Sequence, residues 1–164
     1  MADIVDQQTR SRMMSGIRGK NTNPELAIRC GLHARGFRFR LHSMKVRGRP
    51  DLILPRYHAA IFVNGCFWHR HEGCRYATNP STRPSFWQTK FEANVARDRA
   101  VREALLEDGW RVATVWECGL RRPDHAAASI ELLAAWLVSA QREVEIGERS
   151  LHHVPAAIST GRTR

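Results

Sequence analysis

No stretch of this chain approaches the roughly 20 consecutive apolar residues that a membrane-spanning helix needs, so a helical transmembrane protein is excluded. Nor does any segment join a Lys/Arg face to a Trp/Leu face, which leaves a membrane-surface anchor without a candidate. Internal repeats are missing, which sets aside solenoids and propellers. The opening residues MADIVDQQTR carry neither the charged n-region nor the apolar h-region of a secretory signal, and the expected setting is cytoplasmic, beside the nucleoid. Cysteine is sparse, with four in 164 residues. In a reducing compartment such thiols are expected as ligands or core residues rather than disulfides. Acidic residues are scarce as well: 16 Asp and Glu face 26 Lys and Arg, for a formal net charge of +10. That excess points to a polyanionic partner, because each phosphate neutralised by Lys or Arg releases condensed counterions. With no membrane anchor, nucleic acid is the partner that fits.

What is present is concentrated in one run, Gly65-Cys66-Phe67-Trp68-His69-Arg70-His71-Glu72-Gly73-Cys74. Cys66, His71 and Cys74, joined by the distant Cys118, form a four-ligand set of the kind that closes a tetrahedral zinc site. Thiolate and imidazole together favour zinc over magnesium or calcium. The competing reading is three buried cysteines and a surface histidine, since Cys is among the most buried residue types. Cys-x2-His and Cys-x4-His spacings are both feasible, so either His69 or His71 can be the ligand. A site closed by four protein ligands is structural, because catalytic zinc keeps a position open. Cys30 is left over, and its predicted helix face makes it a core residue.

The length suits one domain with a sizeable core. Residues 1–20 read as a basic arm or short helix. A helix follows, with Asn23 as cap, Pro24 at its first position, Glu25 favouring the dipole and Gly36 as stop. Leu26, Cys30 and Ala34 would line its apolar face. Strands are expected at 37–42, 51–54, 59–63 and 111–116, and helices at about 85–108 and 124–140. Beyond Glu143 the periodicity fades, so 1–143 reads as one nuclease-sized domain and 144–164 as a loosely ordered tail. The order α-α-β-β-β-α-β-α predicts a mixed α/β sheet flanked by helices, as in nuclease cores of the restriction-endonuclease type.

Asp51 follows Pro50 at the start of a strand, where a carboxylate can hold Mg²⁺, a cation that prefers hard oxygen ligands. A Pro-Asp pair also marks ordinary turns. His69, if it is not a zinc ligand, is an imidazole fixed by the site and able to activate water. Asp98, one helical turn from Asn94 and Arg102, can orient it; a solvated helix face is the alternative. Phe67, Trp68 and the pair Phe86-Trp87 lie beside basic segments, as wedges for a base stack do, although Phe86 and Trp87 also suit the start of a packed helix.

The segments GRPDLIL, IFVNGCFWHRHEGC, TRPSFWQTKFEANVARDR and GWRVATVWEC occur in that order and resemble the very-short-patch repair endonucleases from about Asp3 to Leu120. The resemblance implies a PD-(D/E)xK-like core with a structural zinc. It implies a Mg²⁺-dependent nick 5′ to the thymine of T:G mismatches left by deamination of 5-methylcytosine. By position, Asp51 would bind the metal with the main-chain carbonyl of Val63. His69 would be the catalytic histidine, with Asp98 supporting it and Glu25 contributing from the N-terminal helix. Cys66, His71, Cys74 and Cys118 would hold zinc, and Phe67, Trp68 and Trp87 would intercalate. The family's setting adds double-stranded DNA, a companion cytosine-5 methyltransferase and mismatch-repair proteins as partners of a monomer. Three positions depart from the pattern: Val63 replaces a threonine, Asn64 replaces a histidine, and Gly73 is an extra residue before Cys74. Two rivals stand beside this reading, a restriction-type double-strand endonuclease and a zinc-stabilised DNA-binding module without catalysis.

Overall fold

The computed structural model describes Gln8 and residues 20–152; the expected basic arm lies outside the described residues except for Gln8 and Lys20. The elements run α1 (Asn23–Ala34), β1 (Arg40–Leu41), β2 (Leu52–Leu54), β3 (Ala59–Asn64), α2 (Pro84–Glu107), β4 (Arg111–Trp116), α3 (Pro123–Leu137), β5 (Glu143–Ile146) and α4 (Glu148–Leu151). Short 3₁₀ turns follow β2 and β4. The five strands form one sheet in sequence order. β1, β2 and β3 pair antiparallel, whereas β3–β4 and β4–β5 are parallel. The expected mixed α/β sheet flanked by helices is therefore the observed architecture. Among the described residues, no helix is long and apolar enough to cross a membrane.

Period-two alternation divides the sheet into two faces. Ala59 and Ile61 of β3, with Ala113 and Val115 of β4, join Ile28 and Leu32 of α1 and Ile130, Leu133, Trp136 and Leu137 of α3 in the main core. Ala60 and Val112 face the other way and meet Leu105 of α2. Both α1 and α2 stop by the same device. Gly36 and Gly109 sit at φ of +87° and +85°, and the residue after each donates its N–H five positions back, Phe37 to Leu32 and Trp110 to Leu105. The far end of α3 is closed by a side chain: Arg111 donates to the carbonyls of Trp136, Leu137 and Gln141.

α1 differs from expectation at its cap and at its buried face. Thr22, not Asn23, is the cap, and its Oγ1 accepts from the Glu25 N–H while Glu25 Oε2 accepts from the Asn21 N–H. The buried positions are Glu25, Ile28, Arg29 and Leu32. Cys30 is exposed rather than in the core, and Leu26 is 43% exposed. The apolar spacing misleads because two of the four inward positions are charged. Glu25 and Arg29 tolerate burial as a pair 2.7 Å apart.

The segment expected to strand at 37–42 contributes only Arg40 and Leu41 to the ladder, although Phe37 and Phe39 pack against the core as the alternation predicts. The larger correction lies at the C-terminal end. Residues 143–151, read as loose tail beyond 143, supply an edge strand and a helical turn, and Ile146 is 1% exposed. Two apolar residues suffice there because β4 provides the pairing partner for Val144 and Ile146. Four-residue strands flanked by charge fall below what periodicity detects.

Ile28→Ala should cost about 2–5 kcal/mol, as deletions from packed cores do. Cys30→Ser should change stability by less than about 0.5 kcal/mol, as at other exposed positions. Urea unfolding of both variants checks which face of α1 is buried; equal losses would contradict this packing.

Candidate active site and metal centre

Asp51 precedes β2, and the β2–β3 register sets Leu52 against Ile61, so Asp51 stands beside the C-terminal end of β3. The chain leaves that end through Gly65 into a turn-rich loop. The N–H of His69 donates to the Gly65 carbonyl, that of His71 to Cys66, and that of Cys74 to His71. β4 ends next door, with Trp116 opposite Asn64, and Cys118 follows in the 3₁₀ turn Glu117–Leu120. Cys66, His71, Cys74 and Cys118 thus converge, with their donor atoms within 4.8 Å of one another.

This group could hold a metal ion, and its spacing fits one. His71 Nδ1 lies 3.4 Å from Cys118 Sγ and 3.8 Å from Cys66 Sγ. Ligands at zinc–sulfur bond length stand about 3.7 Å apart on a tetrahedron's edge. Cys66 and Cys118 are buried, and the His71 ring stacks on Trp116 at 4.3 Å and 8°. The acidities of the two thiols are set largely by each other. Cys118 is pushed down, first by the hydrogen bond with Cys66 and further by the Glu148 N–H and His71. Cys66 is pushed up, first as the donor to Cys118 and then by burial. One sulfur is therefore readied as the thiolate that metals bind.

His69 takes no part in that cluster. Its Nδ1 meets Asp98 Oδ2 at 2.5 Å, tying the loop to the middle of α2. One turn earlier, Asn94 Nδ2 donates to the Trp68 carbonyl at 3.0 Å, a tether that sequence reasoning missed. Both α2 side chains therefore grip consecutive residues of one loop. His69, Asp98, Asp51, Val63, Asn64 and Glu25 all line a single groove of about 1110 Å³.

At the groove floor, the Val63 N–H donates to Asp51 Oδ2 at 2.7 Å. Burial pushes the Asp51 carboxyl above its usual range, and the charge of Glu25 adds to the rise. The Val63 N–H, His42 and Arg29 oppose it. Arg29 donates to Glu25 at 2.7 Å, and the same nitrogen meets His42 Nε2 at 3.1 Å. Arg29 and His42 escaped the sequence analysis; the i, i+4 pair Glu25–Arg29 was the available signal for the first, and nothing in the sequence marked the second.

Phe67, Trp68 and Trp87 form one aromatic cluster with Phe91, at ring separations from 5.2 to 5.7 Å. Phe91 is buried, the other three are half-buried, and Phe86 is exposed. The Arg70 guanidinium lies over Phe91 at 4.2 Å. The cluster borders the same loop that carries His69.

Residues 2–75 match the family described as DNA mismatch endonuclease Vsr. A type II nicking enzyme, V.XorIIP, of Xanthomonas oryzae pv. oryzae is 47% identical over 120 residues, covering 73% of this chain and 88% of the relative. The DNA mismatch endonuclease Vsr of Escherichia coli K12 is 38% identical over 154 residues, covering 93% and 98%. A type II nicking enzyme, V.NmeAIP, of Neisseria meningitidis serogroup A is 36% identical over 121 residues, covering 74% and 86%. The class these likenesses define is that of DNA-cutting enzymes. Within it, the chain belongs to the Vsr family of DNA endonucleases.

Asp51 carries a testable electrostatic consequence. Its folded-state pKa lies above the ordinary 3.8, so its protonated form is the one the fold favours. That stability is complete below the unfolded-state pKa and is lost as pH rises through the raised value. Without added divalent cations, Asp51→Asn should therefore melt at a higher temperature than the parent at pH 7, with the gap closing as pH falls below 4. An Asp51→Asn protein less stable at neutral pH would contradict the burial account.

Proposed function

We propose that this chain is a Mg²⁺-dependent endonuclease that nicks double-stranded DNA 5′ to the thymine of T:G mismatches, the product of 5-methylcytosine deamination. The observation that carries the reading is the single groove in which Asp51, Val63 and Glu25 face the His69–Asp98 pair. The aromatic cluster beside it supplies the means of distortion. Membership of the Vsr family and the mixed sheet are consistent with a PD-(D/E)xK-type core.

Magnesium would be held by the Asp51 carboxylate and the Val63 main-chain carbonyl, and would neutralise charge on the scissile phosphate and lower the pKa of a bound water. A desolvated carboxylate with a second carboxylate close by is the donor chemistry that suits this hard cation. Glu25 contributes negative charge from α1. His69 acts as the base. Its Nδ1 is occupied by Asp98, which leaves Nε2 to take the proton of the attacking water while the carboxylate stabilises the imidazolium. Zinc at Cys66, His71, Cys74 and Cys118 is structural, since four protein ligands leave no open position.

Phe67, Trp68 and Trp87 enter the base stack beside the mismatch. A mispaired step costs less to unstack, which is itself a source of selectivity. The basic excess of +10 supplies phosphate affinity. The nicking-enzyme names of the relatives favour a companion cytosine-5 methyltransferase, and the repair setting adds mismatch-repair proteins. One nick per event needs one active site, so a monomer acting in the cytoplasm, at the nucleoid, suffices. Asn64 at the groove wall keeps a catalytically silent DNA-binding module as the rival.

A strand-resolved assay on labelled T:G and T:A duplexes, with Mg²⁺ and with EDTA, tests the reading. A Mg²⁺-dependent cut of the thymine strand in T:G alone is the expected result; binding without any cut would favour the silent module, and a linear product from a paired circle the restriction-type enzyme. Asp51→Ala should bind the mismatch and leave it intact, and undiminished nicking would remove Asp51 from the mechanism. Trp68→Ala should narrow the T:G to T:A rate ratio by about tenfold, the order of the 1–3 kcal/mol per base that aromatic stacking contributes. An unchanged ratio would end that role.

A further inference from the structure

The turn that follows β5 lies directly against the Cys66/His71/Cys74/Cys118 cluster. The backbone N–H of Glu148 donates to Cys118 Sγ at 3.2 Å. Gly147 is buried, and a Cβ on it would stand 2.8 Å from His71 Cε1 and 3.4 Å from Cys118 Sγ. Its φ of −148° is open to any residue, so the close approach alone asks for glycine. Side chains of the turn reach the loop between the ligands. Arg149 donates to the Glu72 carbonyl at 2.5 Å, and Glu148 pairs with Arg75 at 2.9 Å. The extra residue Gly73 sits under the Arg149 guanidinium, where a Cβ would come within 2.9 Å of it. The turn is itself held, since the Gly147 N–H donates to Ser150 Oγ and that hydroxyl to the Glu145 carbonyl. From β5, Glu145 accepts the indole N–H of Trp116 at 2.6 Å, fixing the ring on which His71 stacks.

We propose that the Gly147–Ser150 turn is a positioning element of the metal centre: its Glu148 N–H holds the Cys118 thiolate, and Arg149 and Glu148 fasten the Glu72–Arg75 loop. The proposal rests on the zinc reading of the cluster. A donated N–H fixes the sulfur's direction. Outer-shell partners of this kind govern how tightly a metal is held. The turn thereby links the last strand of the sheet to the loop that carries Phe67 to Arg70.

The backbone donor can be deleted without touching a ligand. Glu148 opens the helical turn, and proline is accommodated at a first helical position. Gly147 before it is extended, as a residue preceding proline must be. Glu148→Pro therefore removes the N–H, whereas Glu148→Ala removes only the carboxylate. The full-length proteins are purified with zinc, and its transfer to a chromogenic chelator is timed. The cobalt-substituted forms report the sulfur directly through their thiolate-to-metal absorption.

Glu148→Pro should release zinc about tenfold faster than Glu148→Ala, the lower end of the outer-shell range. Its cobalt band should move to longer wavelength, as expected for a thiolate that has lost a hydrogen-bond donor. Equal release rates with identical cobalt spectra would overturn the proposal. If Glu148→Pro does not fold, Gly147→Ala decides, with faster release expected and the parent rate overturning it. A parent protein that binds no zinc at all would instead refute the zinc reading, and the proposal with it.

Discussion

The loop 65–74 has almost no regular structure, and yet it carries half of the candidate site residues. What fixes it is the convergence of three sulfurs and one imidazole at the ends of two parallel strands. Without that convergence, ten residues with large aromatic side chains would have no reason to hold one conformation, since an irregular loop loses conformational entropy on ordering and recovers little by itself. Cys66 leaves β3 and Cys118 leaves β4, so the sheet sets the separation of the first and last members. The intervening His71 and Cys74 then have to close around them, and Phe67, Trp68 and His69 are presented as a consequence.

A second constraint is electrostatic. The chain is strongly basic, but the groove floor gathers Asp51 and Glu25. Burial works against the ionised form of Asp51, and Arg29 and His42 work for it. Two carboxylates thus meet in one groove of a positive protein. α1 accommodates this at a cost in its own packing, since it buries an ion pair where two apolar residues would otherwise sit.

The sequence was legible where a single kind of signal governed. β3 and β4 read correctly because continuous apolar runs buried on both faces leave no other assignment, and α2 because its Gly109 stop is unambiguous. The four candidate metal ligands could be picked out by residue type and spacing. It was misleading where two demands met on one element. On α1 the charged pair occupies the inward face, so hydrophobic spacing selected the outer one and placed Cys30 in the core. At 143–151 the stabilising partners are remote in sequence: β4 for the strand, and Cys118 and Glu72 for the turn. His42 and Asn94 were invisible for the same reason, because their partners come from other elements.

Asn94 and Asp98 stand one helical turn apart on α2, and they hold neighbouring residues, the carbonyl of Trp68 and the ring of His69. The aromatic side chain and the imidazole are successive beads on the same short string, both knotted to one rod. A displacement of Trp68 is therefore felt at His69 across a single peptide unit, with no intermediary in between. The aromatic cluster and the His69–Asp98 pair are thus coupled through one stretch of α2.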